Sequence, residues 1–347
     1  MTGRSSRKAT IHDIAEAAGI STTTVSIVLN GLSEKYRISA KTAERIRKIS
    51  NEYNYSANSK ARALRLAKSG IVGMLIPHYR NSLFTGLAEA FEVRSRSHGF
   101  CPLVASTQRN PDTEQESIRS LLRQDVEFLF LVGMGDSDTA IRMAREHGTR
   151  FINIDLPGTS GPSIVTDHRL GATMLTERIV RELRMRGIEN ADELYFIGGV
   201  AGEYATEERL AGFLEIAGRP ASLGQKDFLC SYRPEEAAAC LSSLVEKTGR
   251  LPRGIFVNSS PALTGIIPFL LNLDVSEYKD MVIGCFDWEP FFKYLPFLTG
   301  AVRHDVAAIM DEAFRVAVSE EFGSQLTVKI PPNLELPREI PAPQPIN

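Results

Sequence analysis

At 347 residues the chain is too long for one ordinary core, and at roughly 100–200 residues per domain it predicts two or three. Its 43% hydrophobic and 24% charged residues match a water-soluble globular protein, with no run of about 18 apolar residues to span a membrane. The net charge of −2 hides a division: residues 1–69 carry 13 Lys and Arg against 5 Asp and Glu, a net of +8, and the rest carries a net of −10. Only the basic end suits a polyanion, although a solvated charged face looks the same on charge alone. The opening MTGRSSRKAT is basic with no apolar core behind it, so no secretory signal is expected and the expected location is the cytoplasm. Cys101, Cys230, Cys240 and Cys285 lack metal-ligand spacing and read as reduced, mostly buried thiols; no metal and no cofactor is expected.

Thr10 followed by Asp13 is a capping-box pattern, and Ile11, Ile14, Ala15 and Ala18 form an apolar stripe at helical spacing, which predicts a helix over TIHDIAEAA. Gly19 breaks it and suits the turn conformation. Ser21 caps a second helix, STTTVSIVLN, which ends at Asn30 and Gly31 and turns Val25, Val28 and Leu29 inward. Ser39 starts a third helix through about Tyr53, with Ala43, Ile46 and Ile49 as its buried face. Helix, glycine turn, helix and supporting helix within about 45 residues is the helix-turn-helix plan. In that geometry the N-terminal end of the second helix meets base edges. Thr22 and Thr23 can donate, accept or offer a methyl, and Ile27, one turn further on, offers an apolar contact to a thymine methyl. Ser21, Thr24, Asn30, Arg37 and Thr42 read as phosphate contacts, which position the head without reading sequence. The motif alone leaves open a plain three-helix bundle with a polar surface.

The run TIHDIAEAAGISTTTVSIVLNG resembles, nearly throughout, the N-terminal motif of the lactose-repressor family of bacterial transcription regulators. The pieces YRISAKTAERIRKI and YNYSANSKARALRL match it in order, and the loop GLSEKYRIS is most similar to the fructose-repressor branch. Ile27 stands where many members carry a polar or basic residue, which bears on the operator sequence. The resemblance implies a sequence-specific DNA-binding transcriptional regulator, a repressor, acting on double-stranded operator DNA as a homodimer or tetramer.

Residues 56–69 join this head (1–55) to a ligand-binding core (70–347). Ser56 or Asn58 suits a cap, and Ala61, Ala63 and Leu64 suit a helix too short to persist alone in water. The resemblance implies that paired hinge helices carrying Asn58, Ala61 and Leu64 enter the minor groove, with Leu64 wedged between base steps. The alternative is a basic linker with Leu64 at a subunit interface.

From Ile71 short apolar runs alternate with helical stretches. Strands are expected at Ile71–Ile76, Leu103–Ser106, Phe128–Val132, Phe151–Asp155, Leu194–Ile197, Ile255–Val257 and Met281–Cys285. Helices are expected at Leu83–His98, Glu114–Gln124, Thr139–His147 and Gly171–Arg186. The alternation predicts an α/β fold with parallel sheets, whose ligands bind beyond the carboxyl ends of the strands. The resemblance extends to a two-lobed, periplasmic-binding-protein-like core. It implies a near lobe of about 70–170 and 300–328, a far lobe of about 171–299 and 329–347, and a ligand between them.

Residues at strand ends suit a polar ligand. His78, Tyr79, Arg80, Asn81 and Phe84 follow the first strand, and Asp167 and His168 stand where the family usually has an Asp-Asn pair. Arg209 matches an arginine that holds ligand in the family, and Asp287 and Trp288 precede the last crossover. Carboxylates with an aromatic face suit a sugar ring, and an arginine also suits a phosphate. The expected ligand set is His78, Asn81, Phe84, Asp167, Arg209, Ser260, Asp287 and Trp288. Ser259 and Ser260 replace the family's Asn-Asp, and Leu156 stands where the fructose branch tends to carry arginine, which favours a neutral sugar or derivative over a sugar phosphate. An enzyme is a rival reading, yet no Walker loop, zinc signature, nucleophile elbow or GxGxxG run stands where chemistry needs it. A free solute-binding protein is another, and it has no use for a basic head.

Overall fold

The computed structural model describes residues 9–29, 31–53, 55, 68–134, 138–188, 193–220, 224, 226–319 and 325–337. The chain divides into two compact units, Met1–Gly70 and Ile71–Asn347.

The first unit holds α1 (Ile11–Ala18), α2 (Thr22–Leu29) and α3 (Ala40–Glu52). Its capping box is complete: the Thr10 amide donates to the Asp13 carboxylate at 2.6 Å, and the Asp13 amide donates to the Thr10 hydroxyl at 3.4 Å. Gly19, at φ 62, closes α1 in the left-handed conformation that costs a glycine least. The hydroxyls of Ser21 and Ser39 accept from the amides of Thr24 and Thr42, capping α2 and α3. Ile14, Ala15, Ala18, Val25, Val28, Ala43 and Ile46 form the core, and Ile11, Leu29 and Ile49 pack around it half-buried. The Arg45 guanidinium donates to the Ala18 carbonyl at the end of α1. Asn30 and the hinge residues Asn58, Ala61 and Leu64 lie outside the described residues.

The second unit begins with β1 (Ile71–Ile76), α4 (Ser82–Ser97), β2 (Cys101–Ser106), α5 (Pro111–Leu122), β3 (Phe128–Val132), α6 (Asp138–Glu146), β4 (Arg150–Ile154) and β5 (Ser163–Thr166). It continues through α7 (His168–Met185), β6 (Leu194–Ile197), α8 (Tyr204–Ile216), β7 (Asp227–Phe228), α9 (Pro234–Thr248) and β8 (Gly254–Val257). Then come α10 (Ser260–Leu271), α11 (Val275–Tyr278), β9 (Val282–Phe286), β10 (Leu298–Arg303), α12 (Val306–Val318), β11 (Thr327–Ile330) and β12 (Asn333–Glu335).

Two sheets of the same design result. The near-lobe sheet has the order β11-β5-β4-β3-β1-β2 and is parallel throughout. The far-lobe sheet has the order β12-β10-β9-β8-β6-β7, and only β12 runs antiparallel. Helices cover both faces, so the inner strands are buried on both sides and read as unbroken apolar runs. In the near lobe α4 and α12 pack one face and α5 and α6 the other. In the far lobe these places go to α9 and α10, and to α7 and α8. Gly212 lets α8 lie against α7: a Cβ there would stand 2.5 Å from the Arg169 carbonyl oxygen.

The chain crosses between lobes three times, after β5, after β10 and after β11. Strand β10 belongs to the far sheet and β11 to the near one, so the later crossings follow Arg303 and Ile330. Strand β4 stops at Ile154, short of the expected Asp155, which turns out of the strand at φ 72. Strands β5, β7, β10, β11 and β12 were not in the sequence-based set: they are short, polar or interrupted by glycine. The cysteines are less buried than expected. Only Cys285 is buried, and Cys101 is exposed where it opens the edge strand β2.

Candidate functional site

In the head, α2 turns Val25 and Val28 inward, which leaves Thr23 exposed and Ile27, one turn later, half-exposed beyond the core. Thr22 is half-buried in the same first turn. The hydroxyls of Ser21 and Thr24 lie 2.9 Å apart and those of Ser39 and Thr42 lie 2.8 Å apart, each pair at a helix N-terminus, where amides and hydroxyls together favour an anion. Arg37, at φ 54, is exposed, and Lys35, Lys41, Arg47 and Lys48 are exposed on the same unit. The surface therefore combines hydroxyls that can read or position with unburied positive charge.

In the body, the carboxyl ends of both sheets meet in a buried polar network. Asp287, immediately after β9, accepts from the Ser260 amide at 3.1 Å on one carboxylate oxygen and lies 3.0 Å from His304 Nε2 on the other. The second ring nitrogen of His304 lies 2.7 Å from the Thr166 hydroxyl, so a residue after β10 joins the end of β5 to the end of β9. Arg209, on α8, donates through Nη1 to the Asn258 carbonyl at 2.5 Å and through Nε to His168 Nδ1 at 3.3 Å. Its Nη2 is 3.9 Å from Asp287, and its guanidinium carbon stands 3.8 Å from the centre of the Phe286 ring. A hydroxyl–hydroxyl contact of 3.0 Å ties Tyr232 to Thr206 at the start of α8. Gly199, at φ 88, fits here because a Cβ would come 2.5 Å from the Asn258 amide nitrogen and 2.7 Å from the Thr206 hydroxyl.

Several polar atoms of this region are buried without a partner among the described residues: His168 Nε2, both side-chain atoms of Asn258, and His78 Nδ1. A buried polar group left unpaired is costly, so such atoms mark places where a ligand or water completes the bonding. Burial, then Arg209 and His304, holds His168 well below the usual histidine range and so neutral. Burial also pushes Asp155 up. Asp287 goes the other way: burial would raise it, but the His304 hydrogen bond and the Arg209 charge outweigh that and leave it lowered.

Of the residues expected from sequence, Arg209, Asp287 and Ser260 come together in this network. His78 and Phe84 stand edge to face at 5.4 Å in the near lobe. Asn81 and Asp167 spend side-chain oxygens on helix caps, accepting from the amides of Leu83 and Leu170. Trp288 lies to one side, its ring 5.0 Å from the Arg303 guanidinium, in a cavity of about 690 Å³ that Leu83, Val93 and Val306 also line. That cavity shares Asp287 and His304 with the network but not Arg209. Sequence reasoning missed Thr166, Asn258, His304, Tyr232 and Asp155. Four of them directly follow or end a strand; the strand-end rule, applied to the expected strands, would have found Asp155 and Asn258 but not Thr166 and His304, which belong to the unexpected β5 and β10.

Comparison with known proteins identifies both parts. The model of "Bacterial regulatory proteins, lacI family" matches residues 10–58. The ribitol operon repressor of Klebsiella aerogenes is 39% identical over 193 residues, which are 56% of this chain and 71% of that protein. The crystal structure of the Lac repressor dimer bound to operator and the anti-inducer ONPF superimposes with a TM-score of 0.73 at 20% identity, covering 95% of this chain and 98% of that one. The Cra transcriptional dual regulator from Pseudomonas putida, in complex with fructose 1-phosphate, gives 0.66 at 18% identity, covering 78% and 99%. The two structures share the fold. With the helix-turn-helix head, the two parallel sheets and these matches together, the chain belongs to the lacI family of bacterial regulatory proteins and is a DNA-binding transcriptional regulator.

Proposed function

We propose that this regulator is a repressor whose grip on operator DNA is set by a small polyhydroxylated effector, a sugar or sugar derivative, held between the lobes. One observation carries the reading: completely buried, unpartnered polar atoms of His168 and Asn258 flank the Arg209–Asp287–His304 network where the two sheets face each other. Thr22, Thr23 and Ile27 read bases, and Ser21, Thr24, Asn30, Arg37 and Thr42 hold phosphates. A homodimer matches a near-palindromic site, and Asn58, Ala61 and Leu64 form the minor-groove hinge. The effector acts through its differential affinity for two lobe arrangements.

The ribitol operon repressor and the fructose 1-phosphate complex support an effector of the sugar or polyol class. Binding rather than turnover is the reading that the likeness to regulatory proteins supports. A cytoplasmic location fits a DNA partner, and no described helix is long and apolar enough to cross a membrane. The test is fluorescence anisotropy on operator DNA selected from a random library. An effector should shift the binding curve of the wild-type chain and leave Asn258→Ala unmoved. Leu64→Ala should lower affinity and bending, and unchanged bending would remove the hinge from the scheme.

A further inference from the structure

The loop between α2 and α3 carries charge that the fold leaves unused. Residues 31–38, GLSEKYRI, hold the exposed side chains of Lys35, Tyr36 and Arg37, and Tyr36 is 55% exposed. In the body several surface cations meet carboxylates: Arg94 with Asp311, Arg169 with Glu215 and Lys329 with Glu208. Lys35, Arg37 and Lys41 form no ion pair among the described residues, although Glu34 stands next to Lys35 in the chain. The loop is nevertheless fixed. The Leu32 amide donates to the Ile27 carbonyl at 3.0 Å, the Tyr36 amide to that of Leu32 at 3.2 Å, the Arg37 amide to that of Glu34 at 3.0 Å and the Ile38 amide to that of Ser33 at 2.8 Å. Ile38 then packs half-buried on the head's core. Arg37 turns the chain at φ 54, a conformation uncommon outside glycine, asparagine and aspartate, and outliers of this kind cluster where a side chain is held for a ligand. The first of these bonds ties the loop to the turn of α2 that carries Ile27. The loop's other end runs into Ser39, whose hydroxyl lies 2.8 Å from that of Thr42. Lys35 and Tyr36 are thus held, before any DNA arrives, between the helix that reads bases and a helix end that suits an anion, and binding need not order them. An ammonium is a point charge for a phosphate, and a phenol can donate to one.

We infer, on the reading above that Arg37 and Thr42 hold phosphates, that Lys35 and Tyr36 are two further contacts to the operator backbone. The lysine ammonium and the tyrosine hydroxyl each donate to a phosphate beside the one that Arg37 takes. Each head thereby grips a longer stretch of the duplex backbone without reading its bases.

The experiment measures binding of the full-length chain to operator DNA selected from a random library, by fluorescence anisotropy at several salt concentrations. A panel of single-base operator variants and phosphate ethylation interference complete it. Lys35→Gln should reduce the salt slope by about one per head, and Lys35→Arg should keep it. Tyr36→Phe, which loses only the hydroxyl, should weaken binding about five-fold with the slope unchanged. Neither should reorder the single-base panel, and each should lose interference at a phosphate next to the one lost in Arg37→Gln. If Lys35→Gln or Tyr36→Phe binds as the wild type does while Arg37→Gln lowers the slope, the inference is overturned and the phosphate reading of Arg37 stands. If all three bind as the wild type does, both fall. A reordered panel in Lys35→Gln or Tyr36→Phe makes the loop a base reader and also overturns the inference. Circular dichroism of each variant separates these outcomes from misfolding.

Discussion

His304 and Thr166 are joined side chain to side chain at 2.7 Å, although 138 residues separate them. The first sits on the crossing after β10 and the second ends β5, so one hydrogen bond fastens two of the three segments between the lobes. Through its other nitrogen, His304 reaches Asp287 at the end of β9. A ligand that competes for Asp287 therefore acts directly on the crossings.

Asp287→Ala should destabilise the body. Both Asp287 and Arg209 are almost wholly buried, and removing the carboxylate leaves the guanidinium without its partner, a change that costs about 3 kcal/mol or more in buried pairs. Asp287→Asn keeps the hydrogen-bond acceptor and should cost less. Urea unfolding followed by the fluorescence of the single tryptophan, Trp288, measures both.

Stability should fall as the pH drops below the ordinary histidine value. His168 has a folded pKa well below 6.5, through burial first and then the Arg209 and His304 charges. The unfolded chain thus binds a proton near that value that the folded chain does not. Its contribution is complete above about 6.5 and is lost as the pH falls, at up to ~1.4 kcal/mol per pH unit. His168→Gln should flatten the fall of the urea midpoint between pH 7 and pH 5. The lowered Asp287 acts in a more acid window, its contribution being present above about 3.9 and lost as the pH drops through the folded value.

In the head, Ile27→Ala and Arg37→Gln should differ in kind. Loss of an apolar base contact should relax preference at one operator position, by about 1–3 kcal/mol of discrimination. Loss of a phosphate contact should weaken all sequences alike and reduce the salt slope by about one. Binding to a panel of single-base operator variants at several salt concentrations separates the two.

Gly199→Ala should impair effector response more than its size suggests. The position has φ 88, and the new methyl would press on the Asn258 amide and Thr206. A strained residue of this kind costs about 1–3 kcal/mol. The effector's change in operator affinity should require a higher concentration, and an unchanged dose response would disconnect this loop from the ligand.

Much of the fold could be read before the structure. The Thr10–Asp13 box and the stripe through Ile14 and Ala18 depend only on neighbouring residues, and so do buried runs such as FLFLV in β3. β10 was harder, because LTGAVR is broken by a glycine and its register shifts between Leu298 and Gly300. The site was legible only in part. Asp287 stood out as a charge just after a strand and Arg209 through its match to an arginine of the family, but their pairing joins residues 78 apart in sequence. Asn258, an ordinary polar residue after a strand, becomes distinctive only when its amide proves to be buried and unmet.

The two sheets share one strand order, and Asp155 and Asp287 occupy the same corner in each, after β4 and after β9, at φ 72 and 78. Few residues tolerate that backbone: glycine, asparagine and aspartate do so most readily. Substitution at either corner is thus confined to a few choices by the backbone before any ligand is considered. The residues that follow the corners, Leu156 in one lobe and Trp288 in the other, lie outside the left-handed region and carry no such restriction.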